Sequence, residues 1–176
     1  MHENPTMTAN LAPNLNLDQD APLGRAIAFV WHEADLLDRK DYAAWGALWD
    51  ERGHYIVPID PDTTDYASQL NYVYDDARMR SLRIERLTSG HSMSAADAAH
   101  TVRTVSRFSA GAVDGDVVEI RSAQLLAAYK RGVLTMFAAN LTHRIRLLPG
   151  GGARLEQKVV RLVNSQDALN ALGFLL

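Results

Sequence analysis

VLTMFAANLTHRIRLL, residues Val133 to Leu148, alternates in a way that an extended strand can use and a helix cannot. Over a strand predicted at Leu134 to Leu148, Val133, Phe137, Leu141, His143 and Ile145 share one side. Asn140, Thr142, Arg144 and Arg146 share the other. One face therefore belongs to a core, and the opposite face can meet solvent or a partner. Working outward, His100 to Phe108, Asp116 to Lys130 and Arg154 to Asn164 alternate in the same manner. The joints between these runs, AVDGD, KRG and PGGG, are turn-formers, so four long antiparallel strands are expected.

The first half has a different period. Asp20 followed by Pro22 is a helix start, since a side-chain acceptor and a residue without an amide hydrogen both suit a first turn. Ile27, Val30, Trp31, Ala34 and Leu37 then fall at spacings of three and four on one helical face. Asp41 can cap a second short helix carrying Tyr42, Trp45, Leu48 and Trp49. Tyr55 to Pro58 is β-branched and closed by proline, which predicts an edge strand. A loop through Pro61 to Thr64 leads to a third predicted helix, with Leu70, Val73, Ala77, Ile84 and Leu87 in phase. Arg80 shares that phase and is expected to snorkel or to pair with Asp76. Helices followed by long strands make an α+β domain whose sheet needs the helices to cover its apolar face. The first twenty residues, MHENPTMTANLAPNLNLDQD, lack a period and are expected to form a flexible arm, leaving 21–176 as a single domain.

Composition narrows the function. At 176 residues and 47% hydrophobic content the chain can build one core of ordinary size. A net charge of -3 offers no general attraction to phosphate backbones or anionic membranes, so neither nucleic acid nor membrane is an expected partner. No apolar run approaches a span, and no basic-then-apolar leader opens the chain; a cytoplasmic protein is expected. The absence of cysteine removes disulfides, thiolate nucleophiles and cysteine-ligated iron–sulfur centres.

Six histidines raise a metal site. His32 is followed by Glu33, but Leu36 breaks the HExxH pattern, and the pair His91 and His100 is split by SMSAADAA, so no metal site is predicted. His143 is different, because it lies on the apolar side of its strand. With Asp35 from the first helix, Tyr55 and His54, it could form the acid–base pair that proton transfer requires. A core histidine satisfied by a hydrogen bond explains the same residue. No GxSxG motif is present, and PGGG joins strands without opening a helix, so neither a serine nucleophile nor a phosphate cradle is supported. The densest charge lies in YDDARMRSLRIERL, with Asp75, Asp76, Arg78, Arg83 and Arg86. It reads either as a solvated helix or as an interface, since arginine's planar donor fork suits interface carboxylates.

Several stretches together resemble one family. EADLLDRKDYAAWGALWDERGHYIVP (Glu33 to Pro58), DDARMRSLRIERLTSG (Asp75 to Gly90), TVRTVSRF (Thr101 to Phe108) and the terminal GFLL are similar, in order, to the beta subunits of aromatic-ring-hydroxylating dioxygenases. Arg107 replaces the asparagine common there, and Ser92 to Ala99 lacks that family's tryptophan and prolines. The resemblance implies a cone of N-terminal helices on a strongly curved antiparallel sheet, similar to nuclear transport factor 2 (NTF2), the cystatin-like folds and scytalone dehydratase. It implies a non-catalytic chain without cofactor or metal, assembled as three alpha and three beta subunits. A Rieske 2Fe-2S cluster and a mononuclear Fe(II) would belong to the alpha chain, with electrons from ferredoxin or reductase partners. Asp75, Asp76, Arg78, Arg83, Arg86, Arg144 and Arg146 are the expected subunit-interface residues. Arg83→Ala and Arg86→Ala are expected to weaken assembly and leave the isolated fold intact. The alternative is a stand-alone dehydratase or isomerase of the same fold using Asp35, Tyr55 and His143.

Overall fold

Helix α1 runs from Pro22 to Asp38, with Pro22 in the first turn where its missing amide hydrogen costs nothing. The computed structural model describes residues 21–89, 99–167 and 172–176, so the expected arm, the Asp20 cap and His91 lie outside the described residues. Ala21 occupies the N-cap position and makes no side-chain capping bond. The buried stripe of α1 is Ala26, Ile27, Phe29, Val30, Glu33, Leu36 and Leu37. Trp31 is not part of it: the ring is 56% exposed, and its indole nitrogen donates to the Val105 carbonyl at 3.3 Å while its edge meets Phe108. It straps the helix to the neighbouring strand.

Asp41 caps α2 (Tyr42–Ala47) by accepting from the Ala44 amide at 3.1 Å. Trp49 leaves the helical phase and opens β1 (Trp49–Pro58), where it packs with Trp45 and Tyr55 as an edge-to-face cluster with centroids 5.3 to 6.3 Å apart. Strand β1 is not an edge, because β2 (Asn71–Asp75) pairs outside it. Pro58 is tolerated there because the register shifts between Val57 and Pro58. The third helix accordingly starts later than its apolar phase predicts. Leu70 precedes β2 and Val73 lies within it, since Tyr72, Val73 and Tyr74 favour extended backbone once β1 offers a ladder. Asp76 then caps α3 (Ala77–Thr88), accepting from Met79 N at 2.8 Å.

The four long strands appear as expected: β3 (His100–Asp114), β4 (Val117–Lys130), β5 (Val133–Leu147) and β6 (Ala153–Leu162). Strand β3 continues six residues past Phe108. Arg131 and Gly132, both with positive φ (51° and 80°), make the tight β4–β5 turn, a conformation glycine accepts freely. The sheet order is β2-β1-β6-β5-β4-β3, and it is mostly rather than wholly antiparallel, because β1 and β6 run parallel. Register shifts in β3 and between β5 and β6 bend the long strands. Helix α1 lies on the inner face of β3, β4 and β5. There Leu37, Ile120, Leu126, Leu141, Ile145 and Leu155 are fully buried, each worth about 1.5–3 kcal/mol of burial.

Candidate functional site

The inner face of the sheet carries charge as well as hydrocarbon. Glu33 of α1, His143 of β5 and Lys158 of β6 meet in the core at 2%, 0% and 1% exposure. Strand register places His143 beside Lys158, and the helix lays Glu33 across both. Lys158 Nζ donates to Glu33 Oε1 at 2.9 Å, Trp45 Nε1 donates to the same oxygen at 2.9 Å, and His143 Nε2 donates to Oε2 at 3.2 Å.

Burial would raise the Glu33 pKa, but the Lys158 charge and the bond from His143 outweigh it and hold the carboxyl far below the usual carboxylate range. Burial lowers the His143 pKa against the opposing pull of Glu33, and burial likewise lowers that of Lys158. The consistent state is a carboxylate–ammonium pair beside a neutral imidazole, closed on itself. His143 Nδ1 finds no partner among the described residues.

Asp35, the carboxylate expected beside His143, faces solvent and pairs with Arg39 at 3.4 Å. The correction follows from helical phase: three residues on from Val30 is Glu33, whereas five residues on is the opposite side. Tyr55 is buried as expected but is held elsewhere, its hydroxyl donating to Leu176 O at 3.2 Å and accepting from Leu176 N at 3.1 Å. Burial raises its pKa and keeps the hydroxyl protonated. His54 stacks against Tyr74 at 5.2 Å, away from the cluster. A cavity of about 340 Å³ borders Tyr55 and the C-terminal Leu172 to Leu176, and none of Glu33, His143 and Lys158 lines it. A second, partly buried pair closes the other end of α1, where Asp38 accepts from Arg103 Nε, Arg103 N and Thr101 Oγ1 at 2.8 to 2.9 Å.

Glu33 and Lys158 escaped the sequence reading, yet both carried a signal. Each is a charge in an apolar position, Glu33 between Val30 and Leu37 on the helical stripe and Lys158 beside Val160 and Leu162 on the strand.

The expected interface residues separate into distinct roles. Asp75 is buried in β2 and accepts from Arg83 Nε and Nη2 at 2.5 and 2.9 Å, a two-point pair that fixes α3 on the sheet. Asp75 is buried beside it, so Arg83 also braces the fold, and Arg83→Ala is expected to lower the stability of the single chain as well. Asp76 serves as the α3 cap, while Arg78 and Arg86 are exposed. Arg80 is no snorkelling surface residue: it is buried, donates to the carbonyls of Gly53, Asp75 and Asp50, and lies 4.2 Å over the Trp49 ring. Gly53 is required at that approach, since a Cβ there would come within 2.7 Å of the Leu155 carbonyl. Arg144 and Arg146 point outward from β5 and pair with Glu156, Arg146 also with Asp116 at 2.7 Å. Among the described residues, no group of three histidine or acidic side chains could hold a metal ion.

Comparison with known proteins places this geometry. The ring hydroxylating beta subunit family matches residues 32–167. The small oxygenase component of the p-cumate 2,3-dioxygenase system of Pseudomonas putida is 28% identical over 123 residues, covering 69% of this chain and 68% of that protein. The beta subunit of benzoate 1,2-dioxygenase from Burkholderia mallei superposes with a TM-score of 0.69 at 19% identity, covering 85% of this chain and 95% of its own. An NTF2-like protein with a cystatin-like fold from Novosphingobium aromaticivorans superposes at 0.56 and 19% identity over 92% of this chain and 93% of its own. The expected NTF2-like cone is thereby met. The chain belongs to the ring hydroxylating beta subunit family and is the small subunit of an aromatic-ring-hydroxylating dioxygenase.

Proposed function

We propose that this chain performs no chemistry itself and acts as the scaffold on which a catalytic alpha chain, carrying a Rieske 2Fe-2S cluster and a mononuclear Fe(II), is assembled. One observation carries the reading: the residues a stand-alone enzyme would need do not meet, since His143 is sealed at 0% exposure against Glu33, Tyr55 is held by Leu176 and Asp35 faces solvent. A general acid or base must reach the proton it moves. The Glu33 carboxylate is already committed to Lys158, Trp45 and His143, and none of the three charged or titratable groups opens onto the cavity beside Tyr55. The lack of cysteine is consistent with a cluster held by another chain.

The proposal extends to three alpha and three beta subunits, with ferredoxin or reductase partners supplying electrons, in the cytoplasm. No described helix is long and apolar enough to cross a membrane. Residues 21–176 are proposed to work as one domain, with the first twenty residues as an arm. Arg78, Arg86, Arg144 and Arg146 remain the proposed contact residues of the original set, all at least partly exposed. Co-expression with the catalytic chain tests the reading. Co-purification as a mixed oligomer is expected, with oxygen consumption on an aromatic acid, once a reductase or ferredoxin supplies two electrons per turnover, only in the complex. p-Cumate is the first compound to try, because the similar Pseudomonas component belongs to a p-cumate system. Turnover of an aromatic substrate by the purified single chain would overturn it.

A further inference from the structure

We propose that the outer face of the sheet, apolar at one end and cationic in its middle, is the docking surface for the catalytic chain, whose carboxylates enter a concavity of arginines. This inference rests on the assembly reading above and names the surface that performs it.

The apolar end is set by register. Tyr129 faces Leu134, Ala127 faces both Met136 and Val102, and Leu125 faces Ala138. Neighbouring strands lie about 4.8 Å apart, so these side chains form one continuous patch. Val102, Leu125, Tyr129, Leu134 and Met136 are 50 to 69% exposed. Together they present on the order of 500 Å² of apolar surface, the upper range for a monomer and a common mark of an interaction site.

Farther along the same face is a concavity of about 730 Å³ between the 59–70 loop and β3 to β6. Arg107, Arg121 and Arg161 line it with Glu119. Arg107 donates to the Asn140 side-chain oxygen, and Arg161 donates to the hydroxyls of Tyr66 and Thr142. Those acceptors are neutral. Glu119 lies 3.6 Å from Arg121 and answers that charge alone. Two guanidinium groups therefore hold their geometry through dipoles, with no carboxylate in ion-pair distance among the described residues, an arrangement suited to incoming carboxylates. Arg107 also keeps a left-handed backbone (φ 54°) that a residue with a Cβ adopts at a cost.

The two halves of the face argue against a two-fold pairing of this chain with itself and favour a chain of different surface. A two-fold axis through the apolar end would join apolar to apolar and leave the arginines unanswered. An axis through the arginines would oppose like charges. A different chain bearing an apolar centre flanked by carboxylates satisfies both, and patch and concavity together approach the roughly 800 Å² per partner of a standard interface.

The test uses the full chain co-expressed with its catalytic chain, comparing wild type, Leu134→Glu/Met136→Glu, Arg107→Gln and Arg39→Gln. Circular dichroism and thermal melting of each single chain establish that the exposed-site variants fold. Binding of the double variant should fall at least 100-fold. Arg107→Gln should weaken it about tenfold and flatten its salt dependence, and Arg39→Gln on α1, an exposed residue outside the contact set, should bind as wild type. Wild-type binding by both outer-face variants, or its loss in Arg39→Gln alone, would overturn the inference while leaving the assembly reading intact. An outer-face variant that instead breaks up an oligomer of this chain alone, with catalytic-chain binding unchanged, assigns the face to a second copy and also overturns it. If wild type fails to bind the catalytic chain at all, the assembly reading itself falls.

Discussion

The two faces of one sheet treat charge in opposite ways. On the inner face Glu33, Lys158, Asp38 and Arg103 are paired within the chain, at distances of 2.9 Å. On the outer face Arg107 and Arg161 meet neutral acceptors alone among the described residues, and large apolar side chains face solvent. An ion withdrawn from water must be answered locally, because desolvation costs several kcal/mol per charge. An ion at the surface is answered by water and can wait for a partner. The inner face thus answers its buried charges within the chain, and the outer face keeps Arg107 and Arg161 for the partner proposed above.

That contrast can be broken from the inside. Glu33→Ala would strand Lys158 and His143 in the core and should cost about 3–5 kcal/mol in urea unfolding, whereas replacing the pair together, Glu33→Leu with Lys158→Met, should recover most of the loss. Equal destabilisation by the single and double changes would show that packing, not charge pairing, sustains the cluster. Arg83→Ala comes next. It leaves buried Asp75 without its two-point partner and should lower stability by about 2 kcal/mol, less than a fully enclosed pair because Arg83 is partly exposed. An unchanged melting temperature would return Arg83 to the interface set.

Acid offers a graded version of the same experiment. The His143 pKa is depressed in the fold by burial, so its contribution is full above the unfolded value of 6.5 and shrinks as pH falls below it. The unfolded chain then binds a proton that the folded chain refuses, a loss of up to about 1.4 kcal/mol per pH unit until the folded group titrates. Glu33, depressed by Lys158, adds a loss of the same sign below about 4.5. His143→Gln should flatten the stability profile between pH 6.5 and 5.5, and an unaltered slope would assign the acid sensitivity elsewhere. The smallest effect lies on the outer face. Arg107→Asn should stabilise the isolated chain by about 0.5–1 kcal/mol, because asparagine enters the left-handed region more readily. A thermal melt lowered by that substitution would mean that the Arg107 bond to Asn140 matters more than the backbone.

Alternation between Val133 and Leu148, the three turns and the Asp41 cap were written locally, and the strands and α2 follow them closely. A strand's two faces and a helix's capped end depend on neighbours within a few residues, so the chain alone determines them. The failures share a cause. Trp31 was in phase but outside, Val73 was in helical phase but in a strand, and Tyr55 to Pro58 read as an edge until β2 paired beyond it. In each case a distant segment supplied the deciding contact. The buried cluster is the clearest instance. His143 was visible as polar on an apolar side, but its partner was set by how α1 lies across β5 and β6, which brings residues 110 and 125 positions apart within hydrogen-bond reach. Periodicity says which side chains turn inward; only the packed sheet and helix determine which of them meet, because pairing energies act over a few ångströms and not along the chain.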